Sequence, residues 1–201
     1  MILFFDTETT GLPDYRSPSN APHQPHLVQL AHILCEDDGS DVEQANVIIR
    51  PDGWTIPDDV AAIHGITTEI AMEKGIPMAE AMDAFLTARR RAELRVAHNV
   101  SFDDRIMRIA MLRHGLVRED IETLEAGRKF CTVQATTTLV NLPPTEKMVA
   151  AGFNKPKPPK LIECIKHFFG EDLDGAHDAM VDVSACRRVY FHLQTLQGAQ
   201  P

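Results

Sequence analysis

The sequence predicts an α/β fold built on a mixed five-stranded sheet flanked by helices, and three observations carry this. Apolar runs of strand length occupy 2–6, 26–35 and 44–50, and a DDGS turn joins the last two into a hairpin. From residue 57 onward, segments with helical periodicity alternate with short buried-strand candidates at 94–97 and 129–132. A hairpin followed by such alternation puts antiparallel and parallel pairings into one sheet.

The elements follow in order. ILFFD at 2–6 is continuously apolar up to Asp6 and reads as a buried strand. A polar, proline-bearing loop runs from Gly11 to about Pro25, ahead of the two hairpin strands. Pro57-Asp58-Asp59 opens a helix that stops at Gly65, and Thr67 or Thr68 caps the next. Residues 79–92 carry Met82, Phe85 and Leu86 on one helical face. The strand 94–97 leads into a helix over 101–114, with Phe102, Ile106, Ile109 and Leu112 at helical spacing. Helices near 133–141, at 161–169 and over 178–196 complete the pattern, with a proline- and lysine-rich loop at 143–160.

Length and composition frame the function. The 201 residues are 44% hydrophobic and 24% charged, enough for one domain over 1–201 with a packed core. The formal charge of −9 argues against a protein that grips nucleic acid with its whole surface. Two divalent cations held by carboxylates would offset four of those charges. Cys35, Cys131, Cys164 and Cys186 are widely spread, which fits neither a zinc cassette nor a disulfide framework. The opening MILFF is too short for a signal peptide and no stretch reaches membrane-span length, so a cytoplasmic location is expected.

Three polar segments fall where a core or an element end should be apolar. In DTET at 6–9, Asp6 and Glu8 share a strand face about 6–7 Å apart and repel unless a cation lies between them. In AHNVSFDD at 97–104 a strand ends at His98-Asn99, and Asp103 and Asp104 fall in the first turn of a helix, where acids also serve the helix dipole. In GAHDAMVD at 175–182, Asp182 lies early on a helix beside its apolar stripe, His177 sits in the turn before it, and Asp178 can cap it. Oxygen-rich acid clusters select hard cations such as Mg²⁺ and Mn²⁺. A pair of these, about 3.5–4 Å apart, clamps the attacking and leaving oxygens of an in-line phosphoryl displacement.

With these segments in view, the chain resembles the DEDD exonuclease superfamily in its histidine-bearing branch, alongside polymerase epsilon proofreading subunits, exonuclease X, ribonuclease T and oligoribonuclease. FDTETTGL at 5–12, HNVSFD at 98–103 and HDAMVD at 177–182 match its three blocks in order, as do the linking segments 50–67 and 160–170. The resemblance implies a ribonuclease H-like fold, with Asp6, Glu8, Asp103 and Asp182 as ligands of two Mg²⁺ or Mn²⁺ and His177 as general base. It also implies that the backbone around Thr9, Gly11 and Leu12 holds the terminal nucleotide and its 3′ hydroxyl, with His64, Asn99 and Phe102 as further substrate-side residues. Asp104 lies outside the matching position.

The implied activity is 3′→5′ hydrolysis of single-stranded DNA to nucleoside 5′-monophosphates. An exoribonuclease for short RNA or tRNA ends uses the same chemistry and is the alternative. A nucleic-acid-binding scaffold without catalysis should have lost an acid or the histidine, and all five positions are filled. About five residues follow the last predicted helix, less than a docking tail needs, which favours a stand-alone enzyme over a polymerase-bound one. Ribonuclease T and oligoribonuclease are dimers, which leaves a homodimer open. The loop from 13 to 25 is longer than the shortest family members require.

Overall fold

A computed structural model of the chain describes residues 1–198. Five strands, β1 (Ile2–Thr9), β2 (Leu27–Cys35), β3 (Asp41–Ile48), β4 (Leu94–Ala97) and β5 (Arg128–Cys131), form one sheet in the order β3-β2-β1-β4-β5. β1, β2 and β3 pair antiparallel, and β4 and β5 join β1 in parallel, so the mixed sheet is as expected. β1 extends three residues beyond its expected end at Asp6, carrying the whole DTET segment in extended form.

Alternation along β1 sends Leu3 and Phe5 to one face and Ile2 and Phe4 to the other. On the first face they join Met82 and Phe85 of α3 (Met78–Arg91) and Ile106 and Met107 of α4 (Val100–Arg113). On the second they join Cys164 of α8 (Leu161–Phe169) and Val183, Cys186 and Tyr190 of α9 (Ala179–Gly198). β1 is thus buried from both sides at the centre of the sheet. Along β1 only Asp6 and Glu8 are partly exposed.

Helix punctuation follows the sequence. α1 (Asp58–His64) ends on Gly65 at φ 76°, and Thr67 caps α2 (Thr68–Lys74) by accepting from the Ile70 N–H. Two helices were not foreseen. α5 (Arg118–Glu125) is almost wholly polar, burying Leu124 alone, and so gives no apolar stripe. Its C-terminal end is held from outside: Arg89 donates to the Leu124 and Ala126 carbonyls, and Arg95 to those of Glu125 and Ala126. α7 (Glu146–Ala150) interrupts the predicted loop at 143–160, with Thr145 accepting from the Met148 N–H as its cap. α6 (Thr132–Val140) lies within a residue of its expected place. α9 runs two residues past its predicted end, and the tail expected after it lies at 199–201, outside the described residues. No helix among the described residues is long and apolar enough to cross a membrane.

Candidate active site

The site begins where β1 outruns its neighbour. β1 pairs with β4 through Ile2, Leu3 and Phe4, and β4 stops at Ala97. Asp6, Thr7 and Glu8 therefore continue against β2 alone, opposite Ala31, Leu30 and Gln29, and leave a bay on their other side. Asp6 and Glu8 share the face of Ile2 and Phe4, toward α9, while Thr7 shares the face of Leu3 and Phe5, toward α4.

β4 turns into α4 through His98 and Asn99, the latter left-handed at φ 83°. The turn delivers Asp103 to the bay, only 2% exposed, where the Thr7 hydroxyl donates to its Oδ1 at 2.8 Å. Asp104 faces the other way and takes a fork from Arg95, at 2.9 Å from Nε and 3.1 Å from Nη2.

Asp182 arrives from the opposite face on α9. Asp178 caps that helix, its Oδ1 accepting from the Met180 N–H at 2.9 Å and the Val181 N–H at 3.3 Å. His177 stands in the preceding turn at φ 72°, exposed, and its backbone N–H donates to Asp182 Oδ2 at 3.1 Å. Buried Gln29, opposite Glu8, docks the helix start: its Oε1 accepts from the Ala179 N–H at 3.2 Å and its Nε2 donates to Asn46 Oδ1 at 2.8 Å.

The acids are brought together. Ligating atoms of Glu8, His177 and Asp182 lie within 4.8 Å of one another. Burial, then repulsion from Asp103, Asp182 and Asp178, raises the Asp6 carboxyl well above its ordinary range. Burial, then Asp6, Asp182 and Asp178, pushes Glu8 up to about 8. Burial also raises Asp103 and Asp182, opposed at Asp103 by the Thr7 hydrogen bond and at Asp182 by the His177 N–H. Among the described residues, Asp182 Oδ1 is buried without a hydrogen-bond partner. An acceptor-only group left bare among like charges fits a cation.

Asp6, Asp182 and His177 open onto a cleft of about 800 Å³ whose walls include Leu12, Asn99 and Lys160. Leu12, 86% exposed, stands free at its rim. The other expected substrate-side residues are placed as follows. Thr9 is buried and closes its own turn, its hydroxyl donating to the Gly11 carbonyl at 2.7 Å. Gly11 shapes that turn through its backbone. His64 is buried, its Nδ1 accepting from the Ile66 N–H at 3.1 Å, while its Nε2 has no hydrogen-bond partner among the described residues. Phe102 is half-buried against the core under α4.

Three positioning residues were missed by sequence reasoning: Thr7, Gln29 and His98. Burial holds His98 neutral, near pKa 4, so its Nε2–H donates to the Pro159 carbonyl at 3.1 Å while Nδ1 accepts from the Thr132 hydroxyl at 2.8 Å. It ties one cleft wall to the strand end. A buried polar residue inside an apolar strand was the available signal for Gln29.

Residues 3–190 match the family model described as Exonuclease, RNase T. No curated protein matches the chain. Among solved structures, Escherichia coli exonuclease I in complex with a dT13 oligonucleotide is 20% identical, with a TM-score of 0.75 over 98% of this chain and 41% of that one. Its complex with a dA16 oligonucleotide gives 21%, 0.75, 98% and 41%. A moderately thermophilic exonuclease I from Methylocaldum szegediense gives 20%, 0.72, 98% and 41%. The chain thus spans about two fifths of the length of these proteins, and at such identities the likeness establishes the fold, a ribonuclease H-like sheet flanked by helices.

Proposed function

The chain belongs to the exonuclease family, and from that premise we propose that it removes nucleotides from the 3′ end of single-stranded DNA as 5′-monophosphates. The observation that carries the proposal is the meeting of Glu8, His177 and Asp182, from two distant segments of the chain, within 4.8 Å, with Asp6 and Asp103 adding their charge. Asp6, Glu8, Asp103 and Asp182 would hold two Mg²⁺ or Mn²⁺, and the bare Asp182 Oδ1 suits that role. Bound there, the cations supply positive charge for the attacking and leaving oxygens of the phosphodiester.

The chain's own residues do the rest. His177, exposed at the cleft and fixed at its backbone by Asp182, takes a proton from the attacking water. Leu12 and Asn99 face the terminal nucleotide across the cleft. DNA is favoured over RNA because the similar exonuclease I structures carry dT13 and dA16 oligonucleotides.

The test is nucleotide release from 5′-labelled single-stranded DNA, duplex DNA and short RNA, with Mn²⁺ or with chelator. A ladder shortening from the 3′ end of the single-stranded DNA, abolished by chelator, is expected. Release that persists in chelator, or that begins at the 5′ end, contradicts the proposal.

A further inference from the structure

The loop from 13 to 25 is held by hydrogen bonds at its neck, within it and from α4. Its neck is closed by Thr10, whose N–H donates to the His26 carbonyl at 3.0 Å and whose hydroxyl accepts from the His26 N–H at 2.8 Å. Inside it, buried Gln24 accepts from the Asp14 N–H at 3.0 Å and donates to the Asp14 carbonyl at 2.8 Å. Two arginines of α4 clasp it from below: Arg105 donates to the Asp14 and Ser17 carbonyls, and Arg113 to those of Gln24 and Pro25. The helix that carries Asp103 therefore also carries the loop.

What the loop builds is a second pocket. Tyr15 stands 61% exposed with the Arg105 guanidinium 5.9 Å from its ring centre. Ring and guanidinium form one wall of a cavity of about 510 Å³, lined from α4 by Ser101, Asp104, Arg105 and Arg108. Four cations, Arg95, Arg105, Arg108 and Lys129, face two carboxylates, Asp104 and Glu125. The fork from Arg95 occupies Asp104 and Arg108 pairs with Glu125, while Lys129 lies 3.9 Å from Asp104 and Arg105 has no carboxylate partner among the described residues. In a chain of net charge −9, this pocket has a surplus of positive charge. Tyr15 is near enough to Asp103 for that charge, after partial burial, to raise its phenol.

We infer that this pocket is a subsite for the substrate strand upstream of the scissile bond, where a base stacks on Tyr15 and backbone phosphates meet Arg108 and Lys129. The inference rests on the proposed nuclease function. An aromatic face with cations beside it is the arrangement that holds single strands without reading sequence. Contact there lengthens the footprint beyond the nucleotide being removed, so the pocket should matter for long strands and not for the shortest.

The experiment compares wild type, Tyr15→Ala and the double variant Arg108→Ala with Lys129→Ala on a thymidine dinucleotide and a twelve-residue thymidine strand, in Mn²⁺. Expected is a rise in KM of about tenfold for the long strand, with kcat and the dinucleotide unchanged, the worth of one stacked base or two phosphates. Equal weakening on both lengths, or none on either, overturns the inference. If wild type releases nothing, the nuclease reading fails. Binding of the long strand in chelator then decides the pocket: weaker binding and a shallower salt dependence in the double variant support it, and unchanged binding refutes it. Lys129→Ala alone, at an exposed position, keeps the test open should the double variant not fold.

Discussion

The Thr7 hydroxyl and the Asp103 carboxylate, 96 residues apart in the chain, meet at 2.8 Å in the buried floor of the site. Thr7 lies between Asp6 and Glu8 but points to the other face of the sheet, so one strand presents two acids and anchors a third.

The first prediction comes from that bond. Thr7→Val keeps the side-chain volume and removes the donor, leaving Asp103 free to rotate. The Mn²⁺ concentration for half-maximal nucleotide release should rise about 10–100-fold, the usual cost of losing a partner behind a metal ligand. Thr7→Ser, which retains the hydroxyl, should recover most of it. Equal metal dependence in Thr7→Val and wild type removes Thr7 from the account.

The second concerns catalysis. Asp182→Ala should abolish turnover and leave a folded protein, because it removes repulsion among buried acids along with a ligand. His177→Ala should slow release on the order of 10²–10⁴-fold at saturating metal, the range for a lost general base. An Asp182→Ala variant that still turns over, or an unchanged rate in His177→Ala, counts against these roles.

Stability should carry the signature of the crowded acids. Glu8 is raised in the folded state from 4.5 to about 8, so between those values the native protein holds a proton that the unfolded chain has released. Metal-free stability from this group therefore falls as pH climbs through the window. Buried His98, lowered to about 4, works in the opposite sense below 6.5, so wild type is best compared with Glu8→Gln. In chelator the variant should gain melting temperature over wild type from pH 5 to 8, and Mg²⁺ should close the gap by stabilising wild type. A variant that falls behind as pH rises has the wrong sign.

Arg89 supports a separate prediction. Its guanidinium, 2% exposed, satisfies carbonyls of Ala92, Leu124 and Ala126, joining the end of α3 to the end of α5. Arg89→Leu strands those acceptors and should cost roughly 1–3 kcal/mol in urea unfolding. No change in midpoint would show that water replaces the arginine freely.

Much of the fold was readable where local chemistry decides it. Gly65 and Thr67 mark helix boundaries, and the apolar runs of β1 and β2 mark the sheet. α5 was not readable, because it is held by arginines from α3 and β4 and not by a stripe of its own. In the site, the acids of the three motifs could be named from the sequence, but Asp103 alone looks like an ordinary acid at a helix start. Its burial against Thr7 exists only in the folded chain. His64 and Phe102 carry burial that motif position does not disclose: His64 is buried and Phe102 half-buried against the core.

The central claim, that four carboxylates from both faces of one sheet hold a cation pair, is tested most directly by anomalous diffraction from crystals soaked in Mn²⁺. Two peaks about 3.5–4 Å apart, within bonding distance of Asp6, Glu8, Asp103 and Asp182, are the predicted result. Saturating Mn²⁺ with no peak among these side chains would contradict it.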